Sequence, residues 1–112
     1  MKWLALMVLM FSTSVVLAQG WIDQLDLPLM QGMVLEPDQQ TVFETATGRV
    51  ILSEISGEVA PDAVRRYYAD ALPGLGWLAE GQGSYSREDE RLVIEIEQRG
   101  GRTFAGFRLA PR

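Results

Sequence analysis

The chain has 112 residues, which is enough for one small domain and too few for two. It contains 15 acidic and 10 basic residues and no histidine or cysteine, and its formal net charge is −5. This composition excludes a disulfide framework, a Ser-His-Asp triad, a cysteine nucleophile and an ordinary zinc or copper site. It also argues against binding to nucleic acid or to anionic lipid, because both require a basic patch.

The N-terminal residues 1–18 have the pattern of a secretory signal peptide. Lys2 gives a positive start, Trp3 to Phe11 is an unbroken apolar run, and Ala18 ends a small-residue cleavage site before Gln19. We therefore expect cleavage between Ala18 and Gln19, export to a bacterial periplasm, and no stable membrane anchor afterwards. The alternative is an uncleaved anchor, although the apolar stretch is shorter than the roughly 20 residues of a spanning helix.

Residues 19–40 predict an irregular N-terminal arm. The segment is rich in apolar residues, but Pro28, Gly32 and Pro37 interrupt any long periodicity. Two interpretations remain open. The arm packs across the domain and covers an open edge, or the stretch from Trp21 to Met30 docks on a partner or a membrane surface.

Two strands are predicted next, Thr41 to Thr45 and Arg49 to Val59. Between them, residues 46–48 suit a three-residue hairpin loop whose last residue is a left-handed glycine. That loop places Phe43 opposite Ile51, with both side chains on one face of the sheet.

A helix is predicted from Pro61 to Leu72. Proline is favoured at the first helical position, and Pro73 stops the helix. The apolar stripe at helical spacing consists of Val64, Tyr67, Tyr68, Ala71 and Leu72. Because adjacent helical residues point about 100° apart, we expect one of the two tyrosines in the core and the other at its margin.

The remaining chain predicts three strands, at residues 77–87, 91–98 and 103–109, which form an antiparallel meander. The Gly100-Gly101 pair is a strong two-residue hairpin signal, and it places Ile94 opposite Phe107. A loop near residues 88–90 places Tyr85 opposite Ile94 and Gly83 opposite Ile96. The glycines on the face of the third predicted strand indicate a hollow there.

The predicted fold class is α+β: an antiparallel β-sheet with one helix packed on its apolar face, in the order ββαβββ. Residues 41–112 are predicted to form this single domain. The strand order between the first hairpin and the meander stays open.

Several motifs in the middle of the chain resemble a group of small exported bacterial proteins. The motifs are Gly48-Arg49, Tyr67-Tyr68, and a Leu-Pro-x-Leu-Gly-Trp stretch that ends at Trp77. The resemblance extends over roughly residues 27–111. The resemblance implies a structural signature: a helix with an apolar stripe, a proline that ends it, a glycine in the turn that follows and a buried tryptophan. It implies no activity.

The outer face of the meander is the best candidate for a partner surface. Its predicted members are Val93, Glu95, Glu97, Phe104 and Arg108. The two glutamates could serve as an acid and a base, but exposed cross-strand ion pairs with arginine are the simpler interpretation. We predict no catalytic, cofactor-binding or metal-binding residue.

By subtraction, the sequence favours a small soluble periplasmic accessory protein that is non-enzymatic and contacts another envelope protein. The alternative is a module that binds a small ligand, such as a glycan or lipid fragment, between helix and sheet near Tyr68, Gly83 and Trp77. Oligomeric state and partner identity are not specified by the sequence.

Overall fold

The computed structural model describes residues 20–112. The predicted signal peptide and its cleavage site at Ala18 and Gln19 lie outside this range. The described elements are β1 (Trp21–Ile22), β2 (Leu27–Pro28), β3 (Met33–Thr45), β4 (Gly48–Gly57), α1 (Pro61–Ala71), a 3-10 turn (Pro73–Leu75), β5 (Leu78–Gly81), β6 (Ser84–Arg87), β7 (Glu90–Arg99) and β8 (Arg102–Pro111).

The predicted α+β fold class is confirmed. Strands β3 to β8 form one open antiparallel sheet in the order β3-β4-β8-β7-β6-β5, and β1 and β2 form a separate two-stranded hairpin. Strand β8 lies between β4 and β7, so the meander closes back onto the first hairpin of the sheet. Strands β3 and β5 are the two edges.

The register of the last hairpin is confirmed at every predicted pair. Arg99 pairs with Arg102 across the turn, and Ile94 pairs with Phe107. Both turn glycines have positive φ, 56° at Gly100 and 79° at Gly101. These angles suit glycine, so the turn fixes the register that the alternating side chains also require.

The predicted register of the first hairpin is wrong by one residue. Phe43 pairs with Val50 rather than with Ile51, because the loop holds two residues and Thr45 pairs with Gly48. The Thr45 hydroxyl closes this turn by donating to the Gly48 carbonyl at 2.6 Å. As a consequence, Phe43 lies on the opposite face from the buried Ile51 and is 46% exposed.

The predicted strand at residues 77–87 is in fact a hairpin, formed by β5 and β6. The chain reverses at Gln82 and Gly83, and positive φ values of 141° at Gly81, the last residue of β5, and 72° at Gly83 allow the reversal. The loop to β7 is also shorter than predicted, since Arg87 pairs with Glu90. Tyr85 therefore lies opposite Leu92 and not opposite Ile94, which is a shift of two residues that keeps Tyr85 on the predicted face.

The helix begins at Pro61 as predicted and ends at Ala71, one residue before the predicted end, and its stripe faces the sheet. Val64, Tyr68 and Leu72 are buried, whereas Tyr67 is half-buried, as expected for adjacent tyrosines. After the helix, Gly76 takes a φ of 88° and Trp77 becomes fully buried, with its backbone N–H donating to the Leu72 carbonyl at 3.1 Å.

The N-terminal segment is more ordered than the sequence indicated. Residues 33–40, predicted as part of an irregular arm, belong to β3, and the hairpin of β1 and β2 precedes them. Ile22, Leu25 and Leu27 are buried in the same core as the helix stripe. The structure therefore has this segment packing on the domain, which is the first of the two interpretations.

Gly57 allows the start of β3 to approach the end of β4. A Cβ atom at this position would overlap the backbone carbonyl oxygen of Gly32 and would also lie 2.8 Å from the sulfur of Met33. A side chain cannot be accommodated there without moving backbone, so the residue is fixed by packing against the segment that precedes β3.

Candidate functional site

The six-stranded sheet has two chemically different faces. The inner face contacts α1 and carries buried side chains, and the ring of Tyr68 lies edge-on to Phe107 with 5.0 Å between centroids. The outer face is the opposite side. Apart from the buried Ser56, its residues on β4, β7 and β8 around Gly106 are half-buried or exposed.

The outer face is organised around Gly106, in the middle of β8. Gly106 pairs with Glu54 of β4 on one side and Glu95 of β7 on the other. Because glycine has no side chain, the centre of the face is a depression. The rows of cross-strand neighbours that surround it are Leu52–Arg108–Val93, Glu54–Gly106–Glu95 and Ser56–Phe104–Glu97.

Two concavities result on this face. The larger has a volume of about 530 Å³ and is lined by residues that include Leu52, Val93 and Arg108. The smaller, about 240 Å³, lies beside Phe104 and Glu97. Both volumes are shallow and open on the sheet surface, a shape that accepts side chains projecting from another protein.

Arg99 organises one end of the outer face. Its guanidinium lies 3.1 Å from Glu97 and 3.5 Å from Glu54, and its Cζ lies 3.9 Å from the ring centroid of Phe104. One arginine therefore bridges two carboxylates and covers an aromatic ring. These contacts are exposed to solvent, so we assign them a modest contribution to stability and a larger one to holding Phe104 in place.

Beside Gly106, the outer face also carries the charged side chains of Glu95 and Arg108. Neither Glu95 nor Arg108 has an ion-pair partner within residues 20–112. They lie diagonally across Gly106, as the predicted register requires, but they do not form the ion pair that the sequence suggested. Among the described residues, one carboxylate and one guanidinium without an ion-pair partner thus flank the depression.

Glu80 of β5 adds a further acidic group beside Arg91. A side-chain hydrogen bond with Ser86 lowers the pKa of the Glu80 carboxyl. Desolvation opposes this shift, and the nearby charges of Arg112 and Arg91 add to it, so the net direction is downward. The Glu80 carboxylate lies 3.5 Å from Arg112 and 3.6 Å from Arg91. Arg91 is therefore partly neutralised, in contrast to Arg108.

The structure places all five predicted surface residues on this one face. Val93 pairs with Arg108, and Glu97 pairs with Phe104. The sequence missed Leu52, Glu54 and Gly106. Leu52 and Glu54 lie on β4, and the pairing of β4 with β8 brings together residues about fifty positions apart in the sequence. The one signal for these two residues was the alternation within β4, which indicates that they share a face of the sheet.

A separate cavity lies on the inner face of the sheet, between α1, β7 and the turn from β5 to β6. Its volume is about 510 Å³. It is lined by Arg65, Tyr68, Ala69, Gly81, Gln82, Gly83, Tyr85, Ile94 and Ile96. The hollow predicted from the glycines is thus present, but Trp77 does not line it and is instead fully buried in the core.

Within residues 20–112, no cluster of three or more acidic side chains has a geometry that could hold a metal ion. In the same range, no helix is both long and apolar enough to cross a bilayer. Comparisons with protein-family models, with curated proteins and with solved structures find no match to this chain.

Proposed function

We propose that this protein is a non-enzymatic binding module of the bacterial envelope that contacts another envelope protein through the outer face of its sheet. The observation that carries the proposal is the depression around Gly106, which is flanked by Glu95 and Arg108, two charged residues without an ion-pair partner within residues 20–112. The predicted signal peptide supports a location outside the cytoplasm. The resemblance to small exported bacterial proteins agrees with this location.

The chemistry of the outer face indicates what the partner presents. We expect the partner to place an apolar side chain over Gly106, beside the row in which Leu52 and Val93 flank Arg108. A basic group on the partner would face Glu95, and an acidic group would face Arg108. Such complementary charges set orientation and association rate more than affinity, and their effect weakens with salt.

Site-specific photo-crosslinking in intact cells tests this proposal. A photoreactive residue at Val93 or at Phe104 should give the same crosslinked envelope protein, whereas one at Arg66 on the exposed side of the helix should not. Phe104→Asp should abolish the crosslink from Val93. Its matched control is Val42→Asp, which places the same charge at an exposed apolar strand residue on the inner side of the sheet.

Charge reversal adds a second measurement. Arg108→Glu should reduce crosslinking, and added salt should lower the remaining yield less than it does for the wild type, because an attractive steering charge has been replaced by a repulsive one. Circular dichroism of each variant must match the wild type. If Phe104→Asp and Arg108→Glu both leave the crosslinked protein and its yield unchanged, the outer face is not the contact surface.

A further inference from the structure

We propose that the inner-face cavity is a binding site for a single-chain amphiphile with a carboxylate head group. This inference goes beyond the proposed protein contact and does not depend on it, because the cavity and the outer face lie on opposite sides of the sheet. The cavity volume of about 510 Å³ is within the usual range of small-molecule sites, roughly 300–1,000 Å³.

The walls of the cavity are suited to an acyl chain. Ile94 and Ile96 of β7 form one wall, and the ring of Tyr68 on α1 forms part of another. The third wall is the turn that contains Gly81 and Gly83. A Cβ atom at Gly83 would lie 2.7 Å from the Ile94 carbonyl oxygen, so the close approach of this turn to β7 requires glycine.

Tyr85 supplies a polar group that the protein itself leaves unused. The residue is only 8% exposed, and its hydroxyl has no hydrogen-bond partner within residues 20–112. It is nevertheless not among the fully enclosed polar atoms that lack a partner, so the hydroxyl keeps some access to solvent, and Tyr85 is one of the residues that line the cavity. A hydroxyl in this state is available to a ligand or to water.

Arg65 is the cationic residue of the cavity lining. Its guanidinium is paired with Asp62 at 2.7 Å, which neutralises part of its charge, and it keeps further N–H donors for a ligand carboxylate. None of the nine lining residues is acidic, although the whole chain has a net charge of −5. A planar guanidinium and a phenol hydroxyl beside an apolar cleft match a carboxylate at the end of an apolar chain.

Titration of the protein, produced from its full-length sequence, with sodium decanoate tests this site. Isothermal calorimetry gives the dissociation constant, and amide chemical shifts identify where the probe binds. We expect the largest shifts at residues 81–83 and 94–96. The neutral analogue 1-decanol should bind at least about tenfold more weakly, since it cannot form the charge-assisted bond to Arg65.

Two matched pairs of variants separate this site from adventitious binding. Tyr85→Phe should weaken decanoate binding about fivefold to tenfold. Tyr67→Phe also removes a hydroxyl that has no partner in the described residues, but Tyr67 lies outside the cavity, so this variant should leave decanoate binding unchanged. Arg65→Gln should weaken binding about tenfold, and the neighbouring Arg66→Gln by less than about twofold.

The outcomes are decisive in both directions. Absence of decanoate binding to the wild type, or binding that neither Tyr85→Phe nor Arg65→Gln weakens, overturns the proposal. Equal affinity for decanol and decanoate overturns the assignment of a carboxylate head. Because Tyr85 forms no hydrogen bond within residues 20–112, we expect Tyr85→Phe to fold normally, and its urea midpoint checks this expectation.

Discussion

Replacing Tyr68 with phenylalanine tests whether one hydroxyl ties the N-terminal hairpin to the helix. The Tyr68 hydroxyl donates to the Pro28 carbonyl at 2.9 Å and accepts from the Met30 N–H at 3.3 Å. A typical intramolecular hydrogen bond contributes about 0.5–1.5 kcal/mol net, and a buried group left without a partner costs more. We therefore expect Tyr68→Phe to lower the free energy of unfolding by about 2 kcal/mol.

Tyr67→Phe is the matched control, because it makes the same chemical change one residue earlier. The Tyr67 hydroxyl has no hydrogen-bond partner within residues 20–112, so this variant should stay within about 0.5 kcal/mol of the wild type. In urea, the Tyr68→Phe midpoint should fall by about 1–2 M at an m-value of about 1–2 kcal/mol/M. The Met30 amide should also lose protection from hydrogen exchange.

This reasoning would be refuted if the two variants had equal urea midpoints. It would also be refuted if Tyr68→Phe destabilised the protein without changing exchange at Met30. The first result would mean that the hydroxyl contributes nothing beyond its ring, and the second that the loss arises in the core and not at the hairpin.

Three further predictions concern stability. Gly57→Ala should lower the free energy of unfolding by about 3 kcal/mol or more, because the added Cβ would overlap backbone atoms. Gly74→Ala is the control and should be neutral in the same urea assay, because no atom lies within 4 Å of its added Cβ. Arg49 and Glu90 form two hydrogen bonds at 3.0 and 3.1 Å, and both side chains are partly exposed. A double-mutant cycle on this pair should therefore give a coupling free energy of about 0.5–1 kcal/mol. A coupling free energy of zero would contradict a stabilising salt bridge. Burial raises the pKa of Tyr68, so its contribution to stability should be fully present below pH of about 10 and be lost above it, because the unfolded chain ionises first. Urea midpoints that fall equally above this pH in Tyr68→Phe would contradict this.

The parts of the fold that the sequence predicted correctly are those set by local signals that agree with each other. At the last hairpin, Gly100 and Gly101 favour a two-residue turn, and the alternation in both strands demands the same register. Around the helix, Pro61, the apolar stripe and Pro73 fix the start, face and end. In both cases, a shift of one residue would expose apolar side chains, so only one solution satisfies every signal.

The predicted strand bounds and registers were wrong where a glycine fitted both a strand and a turn. Gly81 and Gly83 fitted the alternating face of a long strand, but their positive φ values form the turn between β5 and β6. Gly48 fitted a hairpin loop, but it is the first residue of β4, and the Thr45 hydroxyl closes the turn. Sequence patterns record that a glycine lacks a side chain, and they do not show which backbone angle it adopts.

The outer face was predicted only in part for a related reason. Glu95 and Phe104 belong to adjacent strands joined by a tight turn, so local register placed them on one face. Leu52 and Glu54 reach the same face only through the pairing of β4 with β8, which spans the helix and the whole meander. Such non-local pairing follows from tertiary packing and leaves no periodic signal in a single sequence.

The packing of the N-terminal hairpin bears directly on the proposed contact. A single helix of eleven residues covers only part of a six-stranded sheet, so further apolar segments must complete the core. Ile22, Leu25 and Leu27 do so on the inner side, together with the helix stripe. This commits the hairpin to the core and leaves the depression around Gly106 open, which is why we place the partner contact on the outer face rather than on the N-terminal segment.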